Sequence, residues 1–295
     1  MNQEADKVCY LYGFTQAALA AASGAAPSLD AAAGAAGLGL GIDEGHPPRF
    51  WRGQEVAAVW SLVSRLEFSG PASEGNLQDL AWLGPRVCRH QAVLEQVMRL
   101  GPVLPARFGT LFSSVGSLNR FLLRHAATIR RFLERVSGHD EWAVKGFLEQ
   151  TRADAQLLAG LGPAEEALWA RSPGLNYLRQ QAGRIKAKEE LAGRLAQASD
   201  RLFKQLGALA AEARSRPVFS GETIDAQPEM VLNWAFLVPR PAAGDFRRRL
   251  ERANREQNPP GLVLELSGPW PPYSFCPALG AGAAPGRGEV EGERP

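Results

Sequence analysis

Cysteine is scarce in this 295-residue chain, and Cys9, Cys88 and Cys276 are far apart and odd in number. They give no basis for a disulfide framework and show none of the close spacings of a zinc site. Lysine is nearly as rare: apart from Lys7, Lys145, Lys186, Lys188 and Lys204, the basic residues are all arginine. The 33 basic and 31 acidic side chains leave a formal charge of +2. A dedicated nucleic-acid binder carries a clearly basic domain, so nucleic acid is not an expected partner. Long apolar runs are missing as well. The most apolar long stretch, 17–42, is rich in Ala and Gly and broken by Pro27 and Asp30, which makes it a poor membrane span. Residues 1–7 are polar and acidic, unlike a signal peptide, so a cytoplasmic chain is expected. Phosphate-binding loops and nucleophile elbows are also missing. Catalytic, cofactor-binding and metal-ligating residues are therefore all expected to be none, and no cofactor is expected.

What is present is apolar material, 45% of the chain, enough for two domains with a core each. Residues 8–14 (V-C-Y-L-Y-G-F) read as a buried strand. A short helix over 16–22 opens an Ala/Gly-rich connection, and 49–52 and 55–64 read as a hairpin turning at Gly53 and Gln54. A helix follows, with Pro85 in its first turn, Val87, Val93, Leu94 and Val97 inward, and Gly101-Pro102 as its stop. Residues 103–108 complete the block as a strand. The order strand, connection, hairpin, helix, strand fits a ferredoxin-like βαββαβ unit. His90 lies near Cys88, but residues two apart on a helix do not face each other, so a structural histidine is the better reading.

The second block opens on an amphipathic helix over 117–136, whose Arg120, Arg124, Arg130, Arg131 and Arg135 read as a solvated face. Residues 139–150 alternate as a strand, and 151–161 read as helical. A long helix is expected over 175–214. Leu178, Ile185, Ala192, Leu206 and Ala213 fall on one seven-residue stripe, and Leu195, Leu202 and Leu209 on the next. Strands at 217–221 and 230–238, a short helix capped by Asp245, and a strand at 262–266 finish a second βαββαβ-type pattern. The expected fold class is α+β: two ferredoxin-like domains, the second with a long helical insertion or hairpin. The expected boundaries are 1–112, 113–276 and a disordered tail at 277–295.

Two stretches carry the candidate site. Residues 103–112 (V-L-P-A-R-F-G-T-L-F) place one charged side chain, Arg107, between apolar neighbours. A buried guanidinium needs a partner, so Arg107 is expected to clamp the two domains, with recognition of a binding partner as the second possibility. Phe108 and Gly109 belong to the same candidate. Residues 267–275 (S-G-P-W-P-P-Y-S-F) hold Trp270 and Tyr273 on a frame stiffened by Pro269, Pro271 and Pro272. The rings either pack back onto the last sheet or anchor a partner.

With these segments stand Y-L-Y-G-F at 10–14, H-Q-A-V-L-E at 90–95, E-W-A-V-K at 141–145 and Y-L-R at 177–179. In this order, with G-P-V-L-P-A-R-F-G-T-L-F at 101–112 and the P-W-P-P-Y ending, the chain resembles the gas vesicle protein F/L family up to about Phe275. The departures are mild: Ala106 stands where the family often has a larger residue, and Ala143 where it has glycine. The resemblance implies a non-enzymatic accessory or minor structural protein of the gas vesicle, made of two α+β domains related to ferredoxin. It implies contact with the shell protein GvpA and other accessory Gvp proteins during assembly, with protection of an aggregation-prone shell subunit. Arg107, Phe108, Gly109, Trp270, Pro271, Pro272 and Tyr273 are the candidate partner-binding or domain-clamping residues. The alternative is a small-molecule-binding or enzymatic ferredoxin-like protein that uses its His or Cys residues.

Overall fold

The computed structural model describes residues 6–22, 38–71, 73–149, 173–218, 229–256 and 261–279. The chain divides into two compact units, Met1–Gly138 with Trp270–Pro295, and His139–Pro269. The helix expected over 151–161, the end of the strand expected over 217–221 and the tail beyond 279 lie outside the described residues.

The first unit is organised by β1 (Lys7–Gln16), in which every residue from Val8 to Thr15 is buried. Successive side chains of a strand point to opposite faces, so burial at every position requires cover on both sides. Strand β1 runs antiparallel to β3 (Val56–Ser64), which pairs on its far side with β2 (Arg49–Arg52). The other side of β1 is shared by β4 (Val103–Pro105), against Gly13–Thr15, and β5 (Leu111–Phe112), against Cys9 and Tyr10. The sheet order is therefore β2-β3-β1-β4, with β5 also on β1. At Gly13 a Cβ would lie 2.6 Å from the Leu104 carbonyl oxygen and 3.2 Å from Leu94, so only glycine lets β4 come this close.

Among the described residues, four helices precede residues 103–112, the seam of this unit. The short α1 (Ala17–Ala22), α2 (Arg65–Phe68) and α3 (Ser73–Gln78) lead to the longer α4 (Leu80–Leu100). Helix α4 starts a turn earlier than Pro85 suggests, because Asp79 caps it by accepting from the Ala81 amide. Pro85 then lies inside the helix on an exposed stretch, and Val87, expected inward, is exposed too. Val93, Leu94 and Val97 pack with Val8, Tyr10, Tyr12, Val59 and Val63 into one core. The opposite cover is α5 (Val115–Val136), whose start is closed by a capping box between Ser114 and Ser117. Its Phe121 stacks on Phe14 with centroids 6.0 Å apart and meets Phe112 edge-on at 5.3 Å. This is why the units part after Gly138 and not after Phe112: without α5, one face of β1 would be left in water.

The second unit repeats the strand arrangement. Its sheet is ordered β7-β8-β6-β9, from β6 (His139–Leu148), β7 (Glu212–Ser215), β8 (Glu229–Pro239) and β9 (Leu262–Trp270). The central β8 is apolar except for Glu229 and Asn233 and runs antiparallel to both β6 and β7. Trp142, Val144, Trp234, Phe236 and Val238 share a core with Leu202 and Leu206 of α6 (Pro173–Gly207) and Phe246 and Leu250 of α7 (Ala243–Glu256). Each such side chain contributes roughly 1.5–3 kcal/mol when taken fully out of water. Helix α6 ends at Gly207, seven residues short of the expected end, and 212–215 join the sheet, with Ala213 opposite Phe236. Of the first stripe Leu206 is completely buried and Ala192 exposed, and of the second Leu202 is buried and Leu195 and Leu209 half-buried, so both stripes contribute to the inner face, with Leu191 and Ala198 beside them. Asp245 is not the cap of α7 but lies in its first turn, paired with Arg248.

Candidate functional site

The expected strand 103–108 is interrupted. The Ala106 amide donates to the Tyr12 carbonyl and the Leu11 amide to the Thr110 carbonyl, so β4 and β5 stay on β1 while 107–109 leave the sheet. Gly109 makes this turn with φ +80°, a value that L side chains rarely adopt, and donates its N–H to Tyr10 Oη at 3.3 Å. Arg107 sits at the tip and is exposed, a correction to the buried guanidinium expected from its apolar neighbours. What it supplies to the fold is its carbonyl, which accepts from the Thr110 amide at 3.2 Å and from Thr110 Oγ1 at 2.7 Å. Arg107→Ala should therefore leave the thermal midpoint within about 1 °C, as for other exposed substitutions away from structural features. A drop of several degrees would restore the clamp.

Beneath the loop lies a closed network centred on His90 of α4, which is 3% exposed. Tyr10 Oη is 2.8 Å from Nδ1, while the Ala106 carbonyl and Tyr273 Oη are each 3.2 Å from Nε2. A carbonyl only accepts, so the proton is on Nε2, and Nδ1 receives the Tyr10 hydroxyl, which in turn accepts from Gly109. Burial pulls the imidazole pKa down to about 4, opposed in part by the Ala106 carbonyl. Burial also pushes the Tyr10 hydroxyl well above its ordinary value. Tyr12 stacks on the imidazole at 5.6 Å, and its hydroxyl accepts from the Ile42 amide and bonds with Ser61 Oγ. Phe108 is half-buried and edge-on to Tyr10 and His90 at 6.0 and 5.9 Å.

The closing segment reaches the same place. Pro271 and Pro272 are buried, Phe275 is completely so, and the Phe275 carbonyl accepts from Arg135 of α5 at 2.7 Å. Cys276 Sγ is 3.4 Å from the Pro272 carbonyl. Tyr273 packs on the core of the first unit, beside His90 and the R-F-G loop. Trp270, at the start of the segment, is 37% exposed. The seven candidate residues thus sort into two groups. Phe108, Pro271, Pro272 and Tyr273 hold the seam together, and Arg107, Gly109 and Trp270 carry its outer surface.

Chemically the site is a frame. Both nitrogens of His90 are engaged and the ring is neutral over the physiological range, so it has no lone pair left to act as a base. Burial pushes the Cys9 thiol up to about 12, far from a thiolate nucleophile. The reading of His90 as structural identifies its character, but spacing gives no route to its partners, which lie 80 and 183 residues away. The available signal is Tyr10 and Tyr12 two apart in a strand: two phenols on one buried face need polar partners inside.

Comparison with known proteins places this geometry. The model of the family "Gas vesicle synthesis protein GvpL/GvpF" matches residues 8–277. Gas vesicle protein L of Streptomyces sp. (strain CB03234) is 29% identical over 243 residues, covering 82% of this chain and 86% of that protein. Gas vesicle protein F of the same strain is 31% identical over 195 residues, covering 63% and 75% of the two chains. The crystal structure of GvpF from Anabaena sp. PCC7120 superposes with a TM-score of 0.60 at 20% identity, covering 92% of this chain and 97% of that one. That of GvpF from Microcystis aeruginosa gives 0.59 at 20% identity, covering 91% and 98%. The chain shares their fold and belongs to the gas vesicle GvpL/GvpF family.

Proposed function

We propose that this member of the GvpL/GvpF family is an accessory protein of gas vesicle assembly that binds the shell protein GvpA, and with it other Gvp proteins, at the seam around His90. Family membership supports a gas-vesicle-related role, and the accessory, non-enzymatic kind is part of the proposal. The contact surface is the finer step, and one observation supports it: the R-F-G loop and the P-P-Y segment, far apart in sequence, are tied to a single histidine. The protein works in the cytoplasm at the gas vesicle. Both units are of the ferredoxin-like βαββαβ type, a reading supported by the antiparallel order second-third-first-fourth that their sheets share.

Physically, a shell subunit destined for a gas interface is very apolar and must be shielded until it is assembled. Trp270 offers a large amphipathic ring and Arg107 a cation, both exposed and both of the residue types that dominate protein interfaces. Gly109, in the same turn, adds no side chain of its own beside Arg107. The test is capture of GvpA by immobilised protein. The Arg107→Glu, Trp270→Ala double variant should melt like the parent and lose capture by tenfold or more, as expected when two hot-spot residues are removed. Undiminished capture by a folded double variant would place the shell-binding surface elsewhere.

A further inference from the structure

Strand β9 ends the order of the second sheet, so among the described residues one of its edges has no neighbouring strand. Its polarity can be read from parity. The Gly261 carbonyl accepts from the Glu149 amide, just past the end of β6, so the backbone groups of 261, 263 and 265 face β6. Those of Leu262, Leu264 and Leu266 then face outward. At the middle one of these, the outward groups are taken by a side chain. Asn254 Nδ2 donates to the Leu264 carbonyl at 2.8 Å, and the Leu264 amide donates to Asn254 Oδ1 at 2.8 Å. A primary amide thus stands in for the peptide group of an adjoining strand. Asn254 follows Phe246 and Leu250 at four-residue steps along α7, on the stripe that faces the core. An apolar residue at that position would bury surface but leave the edge open.

We propose that Asn254 guards the outer edge of β9 against strand pairing with a second copy of this chain. The strand is self-complementary. An antiparallel pair of two β9 edges centred on Leu264 sets Leu264 against Leu264, Leu262 against Leu266, and Val263 against Glu265, the isologous arrangement of a two-fold dimer. The apolar residues Leu262 and Leu264 of each copy are buried on the core side, and the exposed Val263 and Glu265 share the other face. Nothing in the register opposes the pairing, so the hydrogen bonds of Asn254 are what withhold the central peptide. A helper that handles apolar subunits at high local concentration needs such an edge closed.

Sedimentation equilibrium of the full chain across a hundredfold range of concentration tests this. Asn254→Ala should strengthen self-association about tenfold, the order expected when two hydrogen bonds cease to compete for the edge. Asn254→Asp keeps an acceptor for the Leu264 amide but sets a carboxylate against its carbonyl, and should have a smaller effect in the same direction. Adding Val263→Glu to Asn254→Ala should restore the parental state, because it faces Glu265 of the other copy twice with like charge. Val263 is 38% exposed, so that change leaves the fold alone. If Asn254→Ala and Asn254→Asp both keep the parental mass distribution, Asn254 merely ties α7 to β9 and the proposal fails. It fails also if association rises but Val263→Glu does not reverse it.

Discussion

Replacing His90 by glutamine lowers stability at pH 7 and removes that penalty as the pH falls toward 4. The sign follows from the direction of the shift. In the native state the imidazole is held neutral, with its pKa drawn down to about 4 from an ordinary 6.5. The unfolded chain therefore binds a proton that the native chain refuses anywhere between these values. The contribution of the neutral, hydrogen-bonded ring is complete above about pH 6.5, declines as the pH drops, and is gone below about 4. The span corresponds to about 3 kcal/mol, at roughly 1.4 kcal/mol per unit for a buried group. Glutamine keeps an amide donor for the Ala106 carbonyl but does not titrate. At pH 7 it costs roughly 1–3 kcal/mol, through the lost acceptor for Tyr10. Chemical denaturation of both proteins at half-unit steps from pH 7 to 4 should show the two stabilities converging. Carboxylates titrate in both and cancel in the difference. Parallel curves would mean that His90 is charged or solvated in the native state.

The same histidine shows where reading a sequence stops. A strand such as V-C-Y-L-Y-G-F announces itself, because an unbroken apolar run has to be covered on both faces, and the run at 230–238, broken only by Asn233, does so for nearly the same reason. Helices α4 and α5 were legible from their inward stripes, and the division into two α+β units from the repeated order of elements. The site was legible as two suspicious segments. Their joining was not, since local spacing carries no information about residues 183 apart.

Arg107 and strand β7 were misread for opposite reasons. Arg107 sits among apolar residues, but Val103–Pro105 belong to β4 and Phe108 to a ring cluster, and Arg107 in the loop between them is exposed. Apolar flanks report on the flanks. Residues 207–214 (G-A-L-A-A-E-A-R) favour helix in isolation, and the sequence offers little β propensity. They end the helix because β8, with one flank on β6, leaves a row of backbone groups that an edge strand can satisfy. Tertiary hydrogen bonding overrides local preference there. The boundary after Gly138 belongs to the same class: which sheet face a helix covers is decided by which face lacks cover.

Phe275→Ala should lower the melting of the first unit by about 10 °C, the largest drop of any single change in the closing segment. Phe275 is completely buried, and removing a phenyl ring from such a place costs about 3–5 kcal/mol, with each kcal/mol worth about 2–4 °C in a domain of this size. The loss spreads beyond its own cavity. Its amide donates to the Pro272 carbonyl and its carbonyl accepts from Arg135, so the ring is what seats the short 3-10 turn Tyr273–Phe275 on the first unit. With the turn loosened, Tyr273 leaves His90 Nε2 and the core it packs on. Trp270→Ala, at a residue 37% exposed, supplies the comparison and should cost less than about 1 kcal/mol. Tyr273→Phe separates the ring from the hydroxyl: it should fall between the two, since the packing stays and only the shared hydrogen bond goes. If Phe275→Ala melts with Trp270→Ala, the closing segment is not seated by its ring. The proposed contact with the shell protein would then have to be sought away from the seam, because a segment that is not held in place cannot present Trp270 in a fixed position.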